Sequence, residues 1–140
     1  MKPLPPEPSP PIAAAVIVEG TRVLLVRRRL SEGTLLWQFP AGAVELGERA
    51  EDAAVRETAE EVGLVVRAER RLGERVHPAT GRTMIYVKCE PVSGHAFVAD
   101  TDELAEVAWS TLGELSEYVP HGLYAPVQEY LDLTLRAAAG

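Results

Sequence analysis

The sequence predicts an α/β domain in which the sheet is sandwiched between helices. Three observations carry that expectation. Short β-branched runs at 12–18 and 23–26, an alternating stretch at 65–76 and a further run at 83–91 read as strands. A single stretch, 49–62, follows the helical period and gathers acidic residues, and a second helical pattern occupies 125–138. Helices laid on the two faces of one sheet bury the apolar sides of such a mixture.

Composition narrows the class further. A chain of 140 residues, 46% hydrophobic and 25% charged, is an ordinary globular domain with room for one core. Its net charge of −7 argues against a nucleic-acid partner, which would call for a basic footprint. The same charge makes an anionic substrate awkward unless bound cations assist. The one cysteine, Cys89, lies in the apolar run 84–89 and is read as a buried strand residue. No apolar run approaches the ~20 residues of a membrane span, and the start lacks a signal-peptide layout. A cytoplasmic protein with no membrane partner is the expectation, with a homodimer left open.

Taken in order, residues 1–11 hold six prolines and read as an extended, poorly ordered tail, so that one domain covers 12–140. Residues 12–18 and 23–26, joined by the Glu19-Gly20 turn, read as a hairpin. Arg27, Arg28 and Arg29 follow, either a solvated edge or arginines placed to clamp a phosphate. After a polar connection at 30–36 comes Trp37-Gln38-Phe39-Pro40-Ala41-Gly42, where proline and glycine permit a sharp bend. Trp37 and Phe39 read as core, with base stacking as the alternative. The helix at 49–62 should stop at Gly63. Strands at 65–76 and 83–91 flank a turn, 77–81. There His77 could titrate near neutral pH and touch a substrate, although a turn histidine is more often inert. An acidic loop, 100–106, leads into a strand that ends near Trp109. A short helix at 112–117 and a longer one at 125–138 complete the chain, the latter with Val127, Tyr130, Leu131, Leu133, Thr134 and Leu135 as its apolar face.

The stretch 42–64 is where chemistry is expected. Around a helical wheel Glu57, Glu60 and Glu61 share a face beside Ala50, Ala53 and Ala54, while Val55, Ala59 and Val62 fall opposite and are expected against the core. Like charges at such spacing cost a helix roughly 0.2–0.5 kcal/mol per pair, so the cluster calls for a cation, and a hard divalent ion such as Mg²⁺ fits oxygen ligands. Plain solvated glutamates are the alternative. Arg56 can pair with Asp52 or Glu60, and Glu48 sits at the helix start, where a carboxylate also suits the dipole.

The full spacing is more specific than any of these. Gly42, five residues, Glu48, seven residues, Arg56-Glu57-Thr58, one residue, Glu60-Glu61, one residue, Gly63-Leu64 resembles the Nudix box of the Nudix hydrolase family, the MutT-like enzymes. Only Thr58 departs from it, standing where the family has an aliphatic residue. The resemblance implies an α/β/α sandwich with a central mixed β-sheet and the box as loop, helix and loop, covering nearly everything after the tail. It implies hydrolysis of a nucleoside diphosphate linked to another group, with Mg²⁺, or Mn²⁺ in its place, held by Glu57, Glu60 and Glu61 and by a backbone carbonyl of Ala41 or Gly42. Arg56 would orient the glutamates, Glu48 would act as ligand, arginine partner or cap, and Arg27 or Arg28 would contact the substrate. Glu103 best matches a later acidic residue of the family, and Glu57, Glu60 and Glu103 are the candidate general bases. A (deoxy)nucleoside triphosphate, a damaged one included, is the first substrate implied and ADP-ribose or another nucleotide sugar the second. A silent nucleotide-sensing module is the reading from another class, against which the retained box carboxylates speak.

Overall fold

The computed structural model describes residues 9–29, 37–78 and 80–139. Most of the proline-rich tail (1–8), the connection 30–36 and turn residue 79 therefore lie outside the described residues. Seven strands form one mixed sheet: β1 (Ile12–Glu19), β2 (Arg22–Arg28), β3 (Trp37–Gln38), β4 (Ala41–Ala43), β5 (Val65–Val76), β6 (Thr83–Ser93) and β7 (Leu104–Thr111). The helices are α1 (Ala50–Val62), α2 (Leu115–Tyr118) and α3 (Ala125–Ala139). The expected hairpin, the box helix and the two closing helices all form.

One feature of the topology positions everything else. β1 runs parallel to β6, with Ile12–Ile17 opposite Met84–Cys89, and this long-range pairing sets the middle of the sheet. Along its other edge β1 pairs with β2 only at Val18 and Glu19, after which the two strands diverge. The segment Trp37–Ala43 fills the wedge between them. It pairs first with β2, where Val26 faces Gln38 and Arg27 faces Trp37, and then with β1, where Ala14 faces Ala41 and Ala13 faces Gly42. Between these ladders the Ala15 amide donates to the Pro40 carbonyl at 2.8 Å, so Pro40, which can give no amide of its own, still closes the wedge as an acceptor.

Strand alternation divides the core in two. Ala13, Ala15, Ile17, Leu24 and Val26 face α1, whereas Ala14, Val16, Val23 and Leu25 face Val127, Leu131 and Leu135 of α3. The domain is thus an α/β/α sandwich. The Pro-rich segment ends against it, since the Pro11 carbonyl accepts from the Val44 amide at 2.9 Å. No helix among the described residues is long and apolar enough to cross a membrane.

Two expectations about helix faces are corrected. On α1 the buried residues are Ala50, Ala53, Ala54, Thr58, Glu61 and Val62, while Ala59 is exposed and Val55 only half-buried. The packed face is the alanine face, the one that carries Glu61. Side chains of one carbon let the helix approach the sheet closely, which a wheel scored by hydrophobicity does not register. Thr58 fits this face because its buried hydroxyl donates to the Ala54 carbonyl at 2.7 Å and leaves no unsatisfied group. On α3, Leu133 is 75% exposed, because the docking stripe runs at four-residue steps through Val127, Leu131 and Leu135.

Candidate active site in the wedge between β1 and β2

Helix α1 starts after Arg49 and stops at Gly63, whose φ of 67° lets the chain turn back and its amide reach the Ala59 carbonyl at 3.1 Å. A side chain at Gly63 would also run into the ring of Phe97. The helix end is pinned further by the amides of Ala99 and Asp100, which both donate to the Glu61 carbonyl. That contact brings the acidic loop, with Glu103, up to the box.

Two carboxylates then converge on the backbone that fills the wedge. Glu61 is 1% exposed, and its Oε1 accepts the Ala41 amide at 3.1 Å. Its Oε2 is buried with no hydrogen-bond donor among the described residues, and Arg28 Nη1 stands 3.7 Å away. Burial pushes the Glu61 carboxyl up to about 8, against the opposing pull of the Ala41 amide and Arg28; Glu57 and Glu103 add to the rise. Glu57 lies directly against Gly42, so that a Cβ there would land inside its carboxylate. Burial raises the pKa of Glu57 too, the hydrogen bond from Arg56 working the other way.

Arg56 ties the remaining pieces together. Its Nε and Nη2 form a two-point pair with Glu48, both at 2.9 Å, while Nη1 donates to Glu57 Oε1 at 2.7 Å and Nη2 to the Ala43 carbonyl at 3.0 Å. The Arg56 guanidinium holds the Glu48 carboxyl down at about 2, with help from the Glu45 amide. The Arg56 pKa is raised in turn, chiefly by Glu48. Glu48 is therefore an arginine partner, and the helix carries no side-chain N-cap bond. Asp52 pairs with Arg49 rather than with Arg56. Glu60 is more than half exposed and, among the described residues, pairs with Arg56 alone, at 3.5 Å.

The arginine pair after β2 splits. Strand alternation sends the two side chains to opposite faces of β2: Arg27 bonds Glu106 at 3.1 Å, whereas Arg28 bridges Glu61 and Glu103, the latter at 2.9 Å. Arg28, Glu57, Glu103, Ala41 and Gly42 line one end of a cleft of about 540 Å³, a size suited to a small ligand. The cleft runs over the α3 face of the sheet, along Trp37, Phe39, Tyr86 and Tyr124. Trp37 also meets Tyr118 edge to face at 4.9 Å between ring centres. Arg27, Glu60 and Glu61 do not line it.

His77 lies at the cleft's other end, its pKa lowered by burial and by Arg75. Arg75, Thr80 and Arg82 stand beside it, and sequence reasoning passed over all three. The hairpin register sets Arg82 opposite His77, whose amide donates to the Arg82 carbonyl at 2.8 Å, and Arg75 opposite Met84.

Among the described residues no three acidic, histidine or cysteine side chains stand close enough together to enclose a metal ion; Glu57 is turned to Arg56 and Glu61 to the Ala41 amide. The donor set nevertheless fits a hard cation. Glu57 and Glu61 bring carboxylate oxygens to one stretch of backbone, and one of those oxygens is buried without a hydrogen-bond partner.

Comparison with known proteins agrees with this geometry. The protein provisionally named mutator protein MutT4 of Mycobacterium tuberculosis is 39% identical over 102 residues, covering 65% of this chain and 39% of that one. One from Bacillus subtilis, provisionally named 8-oxo-dGTP diphosphatase, is 33% identical over 100 residues, covering 71% of this chain and 64% of that one. The chain thus spans less than two thirds of the length of either relative. Among solved structures, an ADP-ribose pyrophosphatase from Streptococcus suis superposes with a TM-score of 0.65 at 25% identity, over 92% of this chain and 91% of that one. The sequence profile of the NUDIX domain matches residues 9–132, and with the box folded as loop, helix and loop the chain belongs to the Nudix family, whose members generally use divalent metal ions.

Proposed function

We propose that the protein is a Mg²⁺-dependent pyrophosphohydrolase that cleaves a nucleoside diphosphate linked to another group, with a (deoxy)nucleoside triphosphate, damaged ones included, as its first substrate class. The observation that carries this reading is the meeting of Glu57 and Glu61 on the Ala41–Gly42 backbone, with a buried Glu61 oxygen lacking a hydrogen bond, at the end of a nucleotide-sized cleft. Glu57 and Glu61 would hold the cation together with a carbonyl of Ala41 or Gly42, and Glu60 would join them by leaving Arg56. Bound there, Mg²⁺ or Mn²⁺ would offset the charge that grows on the leaving phosphate oxygen and make a bound water more acidic.

The chain's own residues supply the rest. Arg56 fixes Glu57 and Glu48 as one unit, so the carboxylate is aimed before substrate arrives. Arg28, set between Glu61 and Glu103, offers its guanidinium to a phosphate oxygen. Glu57 and Glu103 line the cleft and are the proton acceptors within reach of an attacking water, whereas Glu60 lies outside it. Trp37 and Phe39 form an apolar wall for a base. The net charge of −7 supports a small nucleotide over a nucleic acid as partner, and a cytoplasmic location accords with that.

The Bacillus relative's name favours the triphosphate class, and the Streptococcus structure supports ADP-ribose or another nucleotide sugar as second choice. A panel of (deoxy)nucleoside triphosphates, 8-oxo-dGTP, ADP-ribose and nucleotide sugars, assayed with Mg²⁺ for released monophosphate, pyrophosphate or phosphate, tests the proposal. Turnover of at least one class is expected. Tight nucleotide binding with no turnover under Mg²⁺ or Mn²⁺ would favour a sensing module instead.

A further inference from the structure

The cleft has a second polar end that the proposed chemistry does not use. It is built from Arg75, Arg82, Thr80 and His77, where β5 turns into β6. Arg75 lies over the rings of Tyr124 and Tyr86, 5.2 and 5.9 Å from their centres, and its Nε donates to the Tyr86 hydroxyl at 3.3 Å. Its two terminal nitrogens have no acceptor among the described residues. Arg82 gives Nη2 to the Pro10 carbonyl at 2.6 Å, and its Nε is buried with no partner among the described residues. No described carboxylate comes within ion-pair distance of either arginine, although the chain carries 21 acidic residues. The third cleft arginine, Arg28, is by contrast bridged to Glu103.

Two guanidiniums lining a cleft with no carboxylate partner and with unused donors among the described residues call for an acceptor that also carries negative charge. A neutral base edge could fill the hydrogen bonds but would leave both charges unpaired. Strand register gives the separation. Arg75 pairs with Met84, Met84 with Ile12 and Ile12 with Ala43, which is three strand spacings, roughly 14 Å, from the backbone beside Gly42. Once the side chains at both ends reach inward, that span leaves room for one nucleoside.

We propose that this end of the cleft is a second anion subsite, in which Arg75 and Arg82 receive a phosphoryl group that the substrate carries apart from the pyrophosphate to be cut. The substrate class is then a nucleotide with an additional phosphate on its ribose. The inference rests on the hydrolase reading for which bond is cut, but the binding it describes does not need turnover.

The test is titration calorimetry on the metal-free, full-length protein with adenosine 3′,5′-bisphosphate, adenosine 2′,5′-bisphosphate and adenosine 5′-monophosphate. At least one bisphosphate should bind at least ten-fold more tightly than the monophosphate, and that ratio should fall to about one in R75Q/R82Q. The single variant R82Q, with Arg75 left on its two rings, should lower the ratio part of the way and guards against a double variant that fails to fold. Equal affinity for all three ligands in the wild type would overturn the proposal even if the substrate panel shows turnover. Guanosine 5′-monophosphate is titrated beside them, and its binding more tightly than adenosine 5′-monophosphate with no gain from the extra phosphate would overturn the proposal as well, in favour of base-edge reading. A bisphosphate preference in a protein that hydrolyses neither the panel nor a nucleoside diphosphate derivative carrying an additional ribose phosphate would uphold the subsite and sink only the hydrolase reading.

Discussion

Replacing Gly42 with alanine isolates the contact on which the site is built. Gly42 does not have a positive φ, so alanine meets no backbone strain, and the cost falls on Glu57, whose carboxylate occupies the space of the new Cβ. Non-bonded carbons need about 3.5–4.0 Å between them, so the carboxylate must retreat by more than about 1 Å. Its 2.7 Å bond to Arg56 must stretch or break as it does so. A misplacement of about 1 Å at a reacting centre costs on the order of 10² in rate, equivalent to roughly 2.7 kcal/mol. G42A should therefore lose about a hundred-fold in kcat/KM on the best panel substrate with its melting temperature within a few degrees of wild type. G113A is the control, since a Cβ at Gly113 meets nothing within 4 Å and should leave the rate unchanged. A folded G42A that retains kcat/KM within three-fold of wild type would refute the account of how Glu57 is held.

Other outcomes follow from the same geometry. R28A should lose at least ten-fold in kcat/KM, while R27A, whose partner Glu106 lies outside the cleft, should stay within three-fold; steady-state kinetics on both decide it. E48Q should lower kcat by loosening Arg56. Because Glu48 is held at about 2 in the fold against an ordinary 4.5, its stabilisation is present above about 4.5 and disappears as pH falls toward 2. Acid-unfolding curves of wild type and E48Q should accordingly converge at low pH. Glu61 has the opposite sign, its carboxyl rising from 4.5 to about 8 on folding. Its contribution is full below about 4.5 and is lost as pH climbs to 8, so metal-free wild type should lose up to about 1.4 kcal/mol per pH unit relative to E61Q across that window. Mg²⁺ binding near pH 7 should release a proton, visible as a dependence of the calorimetric heat on the buffer's ionisation enthalpy.

The box was legible because its chemistry is local: Glu48, Arg56 and Glu57 sit at spacings that one helix and its entry loop bring together. The strands and turns were legible too, from β-branched runs punctuated by glycine. The packed face of α1 was not, since Ala50, Ala53, Ala54 and Thr58 dock through their smallness, while Val55 and Val62 draw a wheel scored by hydrophobicity to the other side. The choice between Arg27 and Arg28 depended on which face of β2 packs on α1, and alternation alone does not tell the two faces apart. Arg75 and Arg82 were invisible as site residues because only the parallel pairing of β1 with β6, some seventy residues apart in the chain, sets them opposite the box. Leu133 misled for a simpler cause: an apolar side chain can sit on the surface.

The most direct test of the central claim is the Mg²⁺-dependent turnover of E60Q and E61Q beside wild type. Both substitutions remove a charge and keep the side chain's shape, and the carboxamide oxygen that E61Q introduces can still accept the Ala41 amide. The account predicts a fall of at least about a hundred-fold in each, with the fold intact by circular dichroism and melting temperature. Wild-type turnover in both would contradict it.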